Sequence, residues 1–151
     1  MFIPLEEYHF PIVAEGAARV AAAGGRVTVG AHGQLQGLGY HWEIWAQAGD
    51  GQPAGRSAMS PIDALRAATI VSAEKIGFAQ DLGSIEAGKL ADLLVLDGDP
   101  LADIHNTAAL RWVIKNGELY EAESMTQQWP RQKPLPPFFW RERPSTSLSV
   151  Q

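Results

Sequence analysis

Apolar positions along this chain change their rhythm several times, and each change predicts an element. From Pro11 to Ala23 they recur every three or four residues, at Ile12, Val13, Ala17, Val20 and Ala21. That spacing predicts an amphipathic helix that ends at Gly24-Gly25 and lays its apolar face on a sheet. Arg26-Val27-Thr28-Val29-Gly30 then reads as a short β-branched strand, one helix-to-strand step of the kind a barrel repeats. Tyr40 to Ala46 predicts a helix with Trp42 and Trp45 on one face, to be read as core or as a binding platform.

Ser60-Pro61-Ile62-Asp63 supplies an N-cap, a proline at the first helical position and an acid in the first turn. The helix it starts has Ile62, Leu65, Ala68 and Thr69 as its expected buried stripe and ends near Ile76-Gly77, with an interruption at Thr69 or Ser72. Leu93 to Leu96 is a short apolar run closed by Asp97-Gly98-Asp99-Pro100, expected as a strand inside a domain and not at its edge. Asn116-Gly117 stands between two β-like runs, Leu110 to Lys115 and Glu118 to Tyr120, and predicts a hairpin beside that strand. From Met125 onward prolines forbid a regular helix or central strand, leaving a tail whose aromatic residues wrap it on its own domain or that runs polyproline-like to a partner.

Composition narrows the function classes. At 151 residues, 46% hydrophobic and 19% charged, the chain can bury a core. A net charge of −5 without a basic stripe argues against nucleic acid as a partner. No apolar run reaches the ~20 residues of a membrane span, and the first residues lack the pattern of a signal peptide. The expectation is a soluble chain whose compartment stays open. Cysteine is absent, so any metal must be held by His, Asp or Glu.

The most specific stretch is Gly83 to Asp97. It carries G-x-I-x-x-G-K-x-A-D-L-x-x-x-D through Gly83, Gly88, Lys89, Ala91, Asp92 and Asp97, and it resembles the C-terminal signature of the amidohydrolase superfamily, among imidazolonepropionase- and prolidase-like members. The resemblance runs from about Gly25 to about Tyr120 and implies the last units of a (β/α) barrel leading into a small β-sandwich. A complete barrel takes roughly 250 residues, so an α+β fragment is expected. Its parts would be the end of an incomplete TIM-type barrel in residues 1–80, a sandwich portion in 81–124 and a tail in 125–151. Read without the resemblance, Lys89 and Asp92 are equally a surface pair flanking a turn.

The resemblance also implies chemistry: a divalent metal, commonly Zn, that activates water against an amide or other C–N bond. His32 follows the strand at Val27 to Gly30 in a glycine-rich loop and falls where the family has a metal-binding aspartate. It is the candidate catalytic and metal-ligating residue. Taken alone, the same loop reads as a tight bend. His41 and Glu43, two apart on one helix, make a poor chelate but are candidate substrate contacts, each acting singly. His9 and His105 lie in segments that do not match the family's ligand strands, and one histidine does not hold a catalytic metal. Two functions are therefore expected: part of a metal-dependent hydrolase of small molecules or peptides, incomplete as this chain and possessing no metal of its own, or a non-catalytic structural module. An opened barrel exposes apolar faces, which predicts a homo-oligomer.

Overall fold

The computed structural model describes residues 9–31 and 37–137. Their order is α1 (Phe10–Ala22), α2 (Leu38–Gln47), α3 (Pro61–Ala68), α4 (Ile70–Lys75), β1 (Leu93–Leu96), a 3-10 helix (Ile104–Ala108), β2 (Leu110–Lys115), β3 (Glu118–Glu121) and β4 (Gln127–Trp129). The architecture is α+β, with helices first and an antiparallel sheet after them.

The helical half is held by small side chains. Ala18, Ile44, Ala64 and Ala67 from three helices meet Val29, Met59 and Ile104 in one buried cluster. Alanines at the contacts let helix backbones approach closely, so this core is compact but poor in large residues. The buried faces differ from those the spacing predicts. In α1 the buried residues are Pro11, Ala14 and Ala18, while Ile12, Val13 and Val20 stand exposed. In α3 they are Ala64 and Ala67, and Ile62 faces outward. The neighbour of α1 is α2, not a sheet, and the narrow face of an adjacent helix selects alanines over bulky residues.

Helix ends follow the sequence closely. Ser60 Oγ accepts the Asp63 backbone N–H at 3.3 Å, and the chain breaks at Thr69 into two short helices. After α1, α2 and α4 a glycine (Gly24, Gly49 and Gly77) takes positive φ. In each case the following N–H returns to a carbonyl five residues back, as Gly25 does to Val20 at 2.8 Å.

Residues 26–30 form no strand. A strand exists only through a ladder partner, and among the described residues this segment has none. Its polar groups are taken instead by side chains of α2: the Gln47 amide donates to the Thr28 carbonyl at 3.3 Å, and Gly30 N–H donates to Glu43 Oε2 at 3.0 Å.

The sheet is a meander in the order β1-β2-β3-β4, every pair antiparallel. Asn116 and Gly117 adopt φ of 51° and 82° between the paired Lys115 and Glu118, the conformation of the tight hairpin turn. The Asp92 carboxylate fastens this turn from below. One oxygen accepts the Asn116 N–H at 2.6 Å, and the other pairs with Lys115. These contacts, Lys115 first and then the Asn116 N–H, hold its carboxyl below the usual aspartate range. Lys89 pairs elsewhere, with Glu86 at 3.1 Å.

Contrary to the expectation of an interior strand, β1 lies at the edge of the sheet, with Leu94 57% and Val95 40% exposed. An uninterrupted apolar run promises two covered faces, and the described residues supply no second cover. The tail contributes β4, turns at Trp129-Pro130 and comes back to bridge Gln127 through Lys133, whose N–H and carbonyl both pair with Gln127.

Candidate functional site

The polar chemistry gathers on α2 and the residues packed against it. An α-helix turns about 100° per residue, so His41 and Glu43 diverge as their spacing predicts. Glu43 reaches back to the Gly30 N–H, whereas His41 points toward the 3-10 helix, where its Nδ1 lies 3.2 Å from Thr107 Oγ1. One turn further on, Trp45 Nε1 donates to the same hydroxyl at 2.8 Å. Thr107 is 5% exposed, so its oxygen joins two α2 side chains inside the fold. Burial lowers the pKa of His41 by penalising the charged ring.

His105 also packs on Trp45, its ring centroid 4.6 Å away and tilted by 52°. Nδ1 of His105 is 2.8 Å from Asp103 Oδ1, and Nε2 is 3.3 Å from Asp50 Oδ2 beyond the end of α2. The Asp103 hydrogen bond raises the His105 pKa, with Asp50 adding to it. Tyr40, at the start of α2, donates its hydroxyl to the Ala68 carbonyl at 2.7 Å. Its pKa is raised by burial and then by Glu43.

An apolar cavity of about 580 Å³ opens between α1 and α2, lined by Phe10, Val13, Trp42, Trp45, Gln47 and Asp50. Trp42 stands at this opening, 47% exposed, so it is not a core residue.

The described residues do not fit a catalytic metal. Among them no group of three His, Asp or Glu side chains is placed to hold a metal ion. His41 Nδ1 is engaged by Thr107, both nitrogens of His105 face carboxylates, and Glu43 already accepts a backbone N–H. His32 lies outside the described residues. Thr107 is the site residue that sequence reasoning misses, since nothing local links it to a helix 62 and 66 residues earlier. The Asp103–His105 pair has a faint local signal, an aspartate two residues before the backbone N–H it accepts.

The family model described as Amidohydrolase family matches residues 43–119. Imidazolonepropionase of Thermoplasma volcanium is 35% identical over 66 residues, covering 42% of this chain and 16% of that protein. Imidazolonepropionase of Shouchella clausii is 56% identical over 39 residues, covering 26% of this chain and 9% of that protein. The crystal structure of a Xaa-Pro dipeptidase with bound methionine in its active site superposes with a TM-score of 0.61 at 30% identity, covering 74% of this chain and 26% of the dipeptidase. The chain thus spans less than a fifth of its curated relatives and about a quarter of the dipeptidase. No helix among the described residues is long and apolar enough to cross a membrane.

Proposed function

The chain belongs to the amidohydrolase family, and from that premise we propose that it is the C-terminal portion of a metal-dependent hydrolase of amide or other C–N bonds. The observation that carries this reading is the continuous family match from Glu43 on α2 to Leu119 in β3. The dipeptidase likeness over 74% of the chain supports it from the side of the fold. Both favour a hydrolase part over a purely structural module. On this reading residues 1–80 end a barrel, 81–124 belong to a small sandwich and 125–151 form its tail. His32 would be the catalytic and metal-ligating residue of the complete site, with His41 and Glu43 as contacts to a small-molecule or peptide substrate. Zinc suits a ligand set without cysteine.

Because the described residues do not assemble three ligands, the chain by itself is read as catalytically incomplete. Metal analysis and an assay with Xaa-Pro dipeptides test this. The 151-residue chain should retain no stoichiometric zinc and hydrolyse nothing. A chimera in which it replaces the matching quarter of the dipeptidase should bind metal and turn over. His32→Ala in that chimera should lower metal content and rate with the fold intact. A folded chimera that binds no metal, or hydrolysis by the isolated chain, would refute the proposal.

A further inference from the structure

The buried Thr107 hydroxyl has one hydrogen to donate and two lone pairs to fill. Trp45 Nε1 is a donor only, so its 2.8 Å contact takes a lone pair and leaves the hydroxyl hydrogen unplaced. With Thr107 only 5% exposed, solvent is a poor outlet, and a buried donor left without an acceptor destabilises the fold. Among the described residues the remaining polar neighbour of this oxygen is His41 Nδ1, at 3.2 Å. A ring nitrogen that accepts a hydrogen bond carries no proton, so the proton of neutral His41 belongs on Nε2.

We propose that Thr107 is a positioning residue that fixes His41 as the neutral Nε2–H tautomer, so that His41 offers an N–H donor to an oxygen of the substrate. The chain of contacts runs in one direction, from Trp45 N–H to Thr107 oxygen and from Thr107 O–H to His41 Nδ1. A proton or a metal arriving at Nδ1 would displace the Thr107 hydrogen into a space with no acceptor among the described residues. His41 Nε2 has no hydrogen-bond partner among those residues, so the donor is unspent. The partner class follows from the donor: a carbonyl or carboxylate oxygen, and not an ammonium group or a metal ion. This assignment rests on the reading of His41 as a substrate contact, but the tautomer itself does not depend on hydrolysis.

The test is long-range proton–nitrogen NMR of the full chain labelled with 15N-histidine, with His41→Gln identifying the His41 signals. In the wild type, His41 should show an acceptor-type Nδ1 and a protonated Nε2 as one species at neutral pH. Thr107→Val should lose this single-tautomer signature, and Thr107→Ser, which restores the hydroxyl, should recover it. Unfolding curves of each variant separate a positioning effect from collapse. If Thr107→Val does not fold, Thr107→Ala, which also lacks the hydroxyl, takes its place and is judged by the same spectrum. A wild-type His41 protonated on Nδ1 overturns the proposal, as does a folded Thr107→Val whose His41 spectrum matches the wild type. A chain that keeps the Nε2–H form but stays inactive within the dipeptidase chimera defeats the hydrolase reading and leaves the tautomer assignment standing.

Discussion

Replacing Gly83 by alanine tests how the signature stretch is seated on the helices. Gly83 sits at φ 96°, and a Cβ there would lie 2.6 Å from the Ala73 Cβ, 3.0 Å from the Ile70 Cα and 3.3 Å from the Thr69 carbonyl oxygen. None of these neighbours is the far end of a flexible side chain. The Thr69 carbonyl already accepts the Ala73 N–H at 2.9 Å, so yielding would disturb the junction of α3 and α4. Gly88 is the internal control, because it has nearly the same φ, 93°, with nothing within 4 Å of a built Cβ. A left-handed conformation costs an ordinary residue about 1–2 kcal/mol, and forcing an extra carbon into a packed contact adds about 1–3 kcal/mol. Gly83→Ala should therefore cost about 2–5 kcal/mol and Gly88→Ala about 1–2 kcal/mol. At about 2–4 °C per kcal/mol for a chain of this size, the melting temperatures should fall by roughly 4–20 °C and 2–8 °C. Thermal unfolding followed by circular dichroism, with urea titration as a second measure, reads both variants. Equal losses would mean that the glycine turn does not pack on the helix junction.

Three further outcomes follow from the structure. Ser60→Ala removes the oxygen that accepts the Asp63 N–H and should cost about 1 kcal/mol in urea unfolding; an unchanged midpoint would mean that the cap contributes nothing. Asp92 has a folded pKa below its usual value, so its contribution is present above the usual carboxylate range and is lost as pH falls through the lowered value. Asp92→Asn should flatten the acid limb of the stability profile, and an unaltered limb would count against the hairpin fastening. His105 has a raised pKa, so its contribution is present below the usual histidine value and is lost as pH rises through the raised one. His41 is shifted the opposite way, losing its contribution as pH falls. His105→Gln should therefore remove a decline on the alkaline side while leaving the His41 decline on the acid side, as read from unfolding midpoints against pH.

What the sequence discloses in advance is local. Ser60-Pro61 starts a helix, glycines end the first and the last, and Asn116-Gly117 turns a hairpin, because each effect is decided within a few residues. Periodicity places the helices but misjudges which side they bury. Ile12, Val13 and Ile62 are the more hydrophobic residues, yet Ala14, Ala18, Ala64 and Ala67 fill the narrow contacts. Burial depends on what lies opposite, and a helix pattern contains no record of its neighbour. The same reason accounts for residues 26–30, whose β-branched composition promises a strand that requires a partner. At the site, the divergence of His41 and Glu43 follows from helix geometry alone. Thr107 could not be foreseen, because its importance comes entirely from two side chains more than sixty residues away.

That separation has a consequence for the order in which the molecule can be made. The Trp45 indole and the His41 ring leave the ribosome well before Thr107, which is encoded 62 residues after Trp45 and 66 after His41. At about 5–20 residues per second, α2 would wait roughly 3–12 s for the hydroxyl that satisfies it. During that interval the helix has two polar groups open to water, and the buried cluster it belongs to lacks Ile104. The loop between β1 and β2 thus closes the helical half from within when it arrives. A slow codon or a stalled ribosome anywhere between α2 and Thr107 would lengthen the exposure without changing a single residue of the finished protein.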